Sequence, residues 1–460
     1  AHRRRGRGQG VPAHPPRQFI NIIFFINKLI FSIMIKKRFL SMLVLLAAVA
    51  TGAVAQTTYK VSVKEGTEDA TSWTIAPPEA TTTGVAQGTQ VTATYGGVKK
   101  VKSVKAVKKA PAGPPSWKLT LSSPAKDLYI TANGGLIAQH TLDVASTEFT
   151  VEMPELTSQT VNIVATDGSG NCWYCTQENM SFAIGQTYQS SPTMTALGTE
   201  SSADVYKMTE AGTIPDGKTV VLSDVTISNG QIACSGDATI ILMGSNSVTA
   251  AANTAAIEIG GSGTTLTITG SGSLTATGGM YAAGIGTGYA NNASVAGGNI
   301  EINGGTITAT GGQSSAAIGT GYAYYNGSNK CGTITINGGS VTAYGGYAGI
   351  GTGGANQSSS NECGDITING GTVTAYGGTS SAAIGTGYAN NSGSNKCGTI
   401  TISTGVTSVT ATMGNRSPNS IGKGYAKNNG TQTCGTITIG GDATTYADGV
   451  TTSPFTYPAP

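Results

Sequence analysis

Histidine is nearly absent: the 460-residue chain has three, and only His140 follows Met34. Its scarcity removes His-based catalytic triads and multi-histidine metal sites. Charge is scarce as well, with Lys, Arg, Asp and Glu at 11% against about 25% in ordinary soluble proteins. Without the basic residues ahead of Phe39 the remainder is slightly acidic, so nucleic acid is not an expected partner. Glycine is abundant instead, at 67 residues, about twice the usual share. Such Gly/Thr/Ser-rich sequence could be disordered, but the regular Thr-Ile-Thr-Ile and Val-Thr-Ala alternation argues for strands. The glycine density excludes helical and coiled-coil repeats.

The alternation is organised as a repeat. Ala-Ala-Gly-Ile-Gly-Thr-Gly-Tyr around Ile285 recurs around Ile318, Ile350, Ile384 and Ile421, 32 to 37 residues apart. Between copies lies a second phrase, seen at 331–346 as Cys-Gly-Thr-Ile-Thr-Ile-Asn-Gly-Gly-Ser-Val-Thr-Ala-Tyr-Gly-Gly, with relatives from Gly297, Cys363, Cys397 and Cys434. A period of this length marks a solenoid. In Thr333–Ile336 a period of two sends Ile334 and Ile336 to one face. Asn337-Gly338-Gly339 and Gly345-Gly346 break the chain around Val341 and Ala343, and Ala348 and Ile350 open a third strand. Three strands joined by glycine corners describe one coil of a right-handed parallel β-helix, with a stretch such as Tyr322–Lys330 as a loop leaving it. Roughly eight coils over 219–448 give a rod on the order of 40 Å at about 4.8 Å per rung.

The N-terminal half divides further. Met34-Ile-Lys-Lys-Arg38, the apolar run Phe39–Val49 and Ala53-Val-Ala55 read as a secretory signal peptide over 34–55, which predicts a secreted or cell-surface protein. Residues 1–33 read as a mis-called or unused extension. A transmembrane helix over Phe19–Ile35 is the competing reading, weakened by Asn21, Asn27 and Lys28, and no transmembrane anchor is expected in the mature chain. Short strands at Tyr59–Val63, Ser72–Ile75 and Gln90–Tyr95 predict a small β domain over 56–110. Its lysine run, Lys99–Lys109, reads as a solvated edge strand, with an anionic glycan or lipid surface as the alternative. After the Pro-rich linker Ala110–Pro115, alternating runs at Trp117–Leu121, Glu148–Met153 and Thr160–Ala165 predict a second small β-sandwich-like, Ig-like domain over 116–198.

The Gly-Thr-Ile-Thr-Ile-Asn-Gly-Gly-(Ser/Thr)-Val-Thr-Ala-Tyr-Gly-Gly and Ala-Ala-Ile-Gly-Thr-Gly phrases resemble those of bacterial surface proteins grouped as β-helical carbohydrate-binding-domain proteins. The block from Val161 to Thr195, with Val-Asn-Ile-Val-Ala-Thr-Asp-Gly and Ile-Gly-Gln-Thr-Tyr-Gln-Ser-Ser-Pro-Thr-Met-Thr, is similar to the C-terminal strands of fimbrillin-like domains of Bacteroidales. The lysine run also resembles secreted proteins of that order. The resemblance implies a secreted or cell-surface, non-catalytic protein whose partner is a polysaccharide or surface glycan.

Candidate functional residues follow from the repeat's variable positions. Tyr344 and Tyr376 occupy equivalent outward positions in adjacent coils. Tyr289, Tyr322, Tyr388 and Tyr425 form a second column, interrupted by Gly354. Aromatic faces aligned along a sheet suit stacking on sugar rings, with Thr and Asn supplying hydrogen bonds; equally, such rings stabilise a sheet by packing on one another. Cys331, Cys363, Cys397 and Cys434 form a column open to free thiols or pairwise disulfides. A straight column does not present tetrahedral ligands, so no metal site is expected. Cys172 and Cys175 have redox-motif spacing without a βαβ context and are read as a local disulfide. Pectin-type lyases and hydrolases share the coil architecture, but their chemistry needs clustered carboxylates. Here Asp237, Glu258, Glu301, Glu362, Asp365 and Asp442 are scattered. An enzyme acting on polysaccharide is therefore the weakest alternative, behind a structural or adhesive stalk that binds protein, and no cofactor is expected.

Overall fold

The computed structural model describes residues 113–458 and, before them, the backbone of nine short strands between Met42 and Lys105. The extension over 1–33 lies outside the described residues, as does the signal peptide over 34–55 apart from two short strands. Within 56–110, Trp73–Ala76, Gln90–Tyr95 and Lys102–Lys105 form an antiparallel sheet. The lysine run supplies its edge strand.

Residues 116–198 form one bent, six-stranded sheet. Its spine is the hairpin Ser116–Ala132 with Gly135–Glu152. The two turn residues, Asn133 and Gly134, both have positive φ, as an Asn-Gly hairpin turn requires. Trp117, Leu119 and Leu121 alternate inward, and a register shift after Thr120 bends the strand, letting Leu128, Ile130, Val161, Ile163 and Phe182 close on the same core.

The β-helix begins at Val205. Three sheets run its length, of nine, eight and eight strands, parallel throughout except for the closing strand of one, through seven complete turns with a partial turn at each end. Matched residues stack in register: Ile300, Ile334, Ile366, Ile400 and Ile437 in the first sheet, Val341, Val373 and Val409 in the second, and Ile285, Ile318, Ile350, Ile384 and Ile421 in the third. All are buried in a single apolar core. The glycine after each third-sheet Ile, from Gly286 to Gly422, has φ between 121° and 144°. In Gly286, Gly319, Gly351 and Gly385 a Cβ would also strike the glycine carbonyl one coil on. The rod ends in reversed chain: Phe455–Tyr457 pairs antiparallel with Val409–Ala411, and Val450 bridges Ile421 antiparallel.

The structure corrects the three-strand coil. From Ala290 onward four turns each gain two short strands, such as Ala323–Tyr324 and Ser328–Cys331 in the stretch read as a departing loop, and the last gains one, Thr431–Cys434. They stack on equivalents above and below. Strands of two to four residues are too short for a period of two to register, and their buried residues are small or polar: beside Ala323 and Cys331, Asn329, Asn361 and Asn395 are all at most 1% exposed.

The bent sheet packs flat on the outer side of the first helical sheet. Tyr129, Val164, Cys172 and Leu197 meet Val205, Val221, Ile241 and Met243. Thr131 and Thr219 join hydroxyls at 2.9 Å, Thr239 donates to the Gly134 carbonyl at 2.6 Å, and Thr269 donates to the Gln139 side chain at 2.7 Å.

Candidate functional site

The Gly-Thr-Gly corner that carries the tyrosines is held from inside. Each buried Thr hydroxyl accepts the N–H of the second corner glycine one coil on: Gly321 to Thr287, Gly353 to Thr320, Gly387 to Thr352 and Gly424 to Thr386, at 2.8–3.1 Å. Asn329 accepts from Thr287 at 2.6 Å and donates to the Gly288 carbonyl at 2.8 Å. Asn361 donates to Gly354 and Gln432 to Gly387 and Tyr425. The amide of Asn395, in the same column, has no partner. This polar lining fixes the corner's register, and the corner fixes where each tyrosine leaves the rod.

Outside, the rings form a ladder. Tyr289 and Tyr322 are parallel within 3° at 5.9 Å, with Tyr281 packed against both. Tyr324 and Tyr325 extend the group sideways. At Gly354 the column lacks a ring of its own, as read from the sequence. A Cβ there would meet the ring of Tyr347 and border that of Tyr322, so Tyr347 fills the vacant place and passes the ladder to Tyr388 at 5.8 Å, which stacks on Tyr425 within 2°. Sequence reasoning found Tyr289, Tyr322, Tyr388 and Tyr425 and missed Tyr281, Tyr324, Tyr325 and Tyr347. The clue was coil length: the copy with Gly354 is the shortest, and Tyr347 stands directly before its Ala-Gly-Ile. Burial pushes the Tyr322 phenol up to about 12, against a hydrogen bond with Asn356 that lowers it, and burial also raises Tyr289 and Tyr388. These three phenols are neutral at ordinary pH and can both donate and accept.

Tyr344 and Tyr376 pair in register on the outer side of the second sheet, with exposures of 45% and 37%. Their rings lie 4.9 Å apart and parallel within 5°. Rings this close and parallel face one another. Of the two readings of this pair, stacking on sugar or packing of the rings on one another, the arrangement accords with the second, each ring facing its neighbour along the stack of coils. Beside the ladder runs a row of amides, in which Asn391 donates to Asn356 and Asn428 to Asn390 and Asn391 at 3.0–3.1 Å.

The remaining candidates are dispersed. Cys172 and Cys175 lie three apart on one extended strand, opposite Thr166 and Ile163, so their side chains leave opposite faces. Both are free thiols, which corrects the local disulfide. Cys331, Cys363, Cys397 and Cys434 stack as expected but are free. The six acids singled out from the coil sequence are engaged locally. Asp237 and Asp365 accept the N–H of Thr265 and Thr399, Glu301 accepts from Asn337, and Asp442 accepts from Thr444 and Thr445. Glu362 sits between Lys330 and Lys396, and Glu258, its carboxyl raised by burial, takes a hydrogen bond from Gln231.

A family model described as beta helix repeat matches residues 266–289, 300–322, 334–354 and 366–388. Each match opens in a first-sheet strand and closes on a ladder position, Tyr289, Tyr322, Gly354 or Tyr388. No curated protein and no solved structure matches the chain. Among the described residues no helix is long and apolar enough to cross a membrane.

Proposed function

We propose that this β-helical protein is an exported, non-catalytic recognition protein that binds a neutral polysaccharide lengthwise along the tyrosine ladder. The observation that carries the reading is the file of rings in two stacked groups, Tyr281 with Tyr289 and Tyr322, and Tyr347 with Tyr388 and Tyr425, which meet beside Gly354. A file of phenol edges flanked by amides offers repeated hydrogen bonds at the spacing of the rungs, suited to a hydroxyl-rich polymer. Its neutrality does not favour a charged one. The engagement of Asp237, Glu258, Glu301, Glu362, Asp365 and Asp442 in separate local contacts supports binding without cleavage. The signal peptide over 34–55 supports export to the cell surface or beyond, and the fimbrillin-like resemblance of 116–198 accords with a surface location.

Because the rings offer edges, the hydroxyls should matter more than the faces. Binding of soluble neutral polysaccharides by calorimetry should weaken roughly fivefold for each lost phenol contact, from about 1 kcal/mol per hydrogen bond. Tyr388→Phe with Tyr425→Phe should therefore lose nearly as much as the double alanine variant. Retention by the phenylalanine variant would instead mean binding to ring faces. No binding to any glycan would leave the rod as a stalk, a reading favoured by rings that occupy one another's faces.

A further inference from the structure

One pair of tyrosines stands apart from the ladder, on the outer side of the second sheet. Tyr344 and Tyr376 occupy one register position on adjacent coils, and the same position holds Thr310 on the coil before and Thr412 on the coil after. The stack thus has two rings and ends in threonine on both sides. Its ring centroids are 4.9 Å apart and the planes parallel within 5°, a separation of about one rung. In-register pairing of parallel rings sets the carbon beside each hydroxyl against its counterpart on the next coil. Both side chains are exposed.

The other tyrosine pairs lack one or both of these properties. Tyr289 and Tyr322 are parallel but 5.9 Å apart, and Tyr388 and Tyr425 are 6.2 Å apart. Burial raises the phenols of Tyr289, Tyr322 and Tyr388, so each of these pairs contains a shielded ring. Tyr281 comes within 5.0 Å of Tyr289 but is tilted by 38°, and Tyr325 is tilted by 43° against Tyr324. A phenol, protonated at ordinary pH, is oxidised by losing an electron and that proton together, and the proton needs an exit to water. Tyr344 and Tyr376 have that exit, with the shortest separation of tyrosine rings among the described residues.

We propose that Tyr344 and Tyr376 form a site of oxidative modification, at which hydrogen peroxide, acting through a haem peroxidase, couples the two rings into a dityrosine link between adjacent coils. Each phenol loses one electron and one proton and becomes a phenoxyl radical. The radicals join by a carbon–carbon bond between the ring positions beside the hydroxyls. The hydrogen on each of those carbons then moves to the phenol oxygen, which restores both aromatic rings. The peroxide takes up the two electrons and two protons and leaves as two waters. Rings already facing each other need only tilt together, which exposed side chains allow. The link closes the chain between 344 and 376 and constrains the unfolded state as a disulfide would.

Dilute full-length protein is treated with hydrogen peroxide and a haem peroxidase, quenched, and then reduced with a thiol, which reverses any disulfide. The monomer is read by intact mass, dityrosine fluorescence and peptide mapping. A species two hydrogens lighter is expected, with the link joining the peptides that carry Tyr344 and Tyr376. Tyr344→Phe and Tyr376→Phe should each abolish it, because the remaining phenol has no partner radical, whereas Tyr325→Phe should keep it at full yield. Phenylalanine retains the ring, and circular dichroism checks that the strands persist. Should a variant misfold, mapping of the unsubstituted monomer decides the assignment alone. A link that survives in Tyr344→Phe, maps to other tyrosines or joins only separate molecules would overturn the proposal. So would monomer that loses no hydrogen.

Discussion

The first sheet of the rod is one ladder with two different exteriors. Its outward column reads Thr219, Thr239, Thr267, Glu301, Thr335, Thr367 and Thr401 in register. The first three are at most 2% exposed beneath the bent sheet of 116–198, while from Glu301 onward the column is partly solvated. The neighbouring outward positions change in parallel, from Val221 and Ile241 to Thr269. The early turns spend their outer side on a domain contact. The later turns leave that side free and carry the added strands, the tyrosine ladder and the cysteine column. One coil design thus serves anchoring at one end and surface display at the other.

The sharpest way to break this comparison is to place a charge at the same register position in each region. Thr239→Lys removes the hydrogen bond to Gly134 and buries an ammonium, which should cost about 3–5 kcal/mol. Thr367→Lys should stay within about 0.5 kcal/mol. Guanidinium unfolding of both variants tests the pair, and equal costs would mean that the contact does not cover the early turns. A second contrast lies within the later turns. Asn329→Leu strands the Thr287 hydroxyl and the Gly288 carbonyl, for about 1–3 kcal/mol per buried group. Asn395→Leu removes an amide that has no partner and should be neutral or stabilising. If both lost stability equally, the column would owe its worth to shape and not to hydrogen bonding.

The smallest effect concerns the outer ion ladder. Lys396 and Lys330 hold the Glu362 carboxyl below its usual range. A carboxylate depressed on folding stabilises the protein above its unfolded pKa, and that contribution is lost as pH falls through the folded value. Acidification from about pH 5 to 3 should therefore lower the unfolding midpoint slightly, with the lysines more than half exposed and the pair screened by salt. Glu362→Gln should remove that component of the pH dependence.

The interior columns were legible because Ile, Val and glycine each repeat for a single reason, facing the core or turning a corner. The docked face left a trace as well. Val220-Val221-Leu222 and Ile240-Ile241-Leu242-Met243 are continuous apolar runs, as expected of parallel strands buried on both sides, whereas later copies alternate. That trace does not say what covers them, since the partner surface on Tyr129, Val164 and Cys172 comes from a distant stretch of chain. The inner Thr and Asn columns were hidden because asparagine reads as surface wherever apolarity is the guide. Tyr347 was hidden because its role depends on the shortening of one coil.

The antiparallel strand Phe455–Tyr457 has a consequence for how such a molecule can change in length. A parallel coil invites another on top of it, in the same chain or in a second molecule. A reversed strand offers the wrong polarity and closes the second sheet, as Val450 does the third. With one end anchored by a folded domain and the other closed, copies can be gained or lost in the middle without disturbing either terminus. Truncation ahead of Val450 would remove this stop and favour end-to-end filaments.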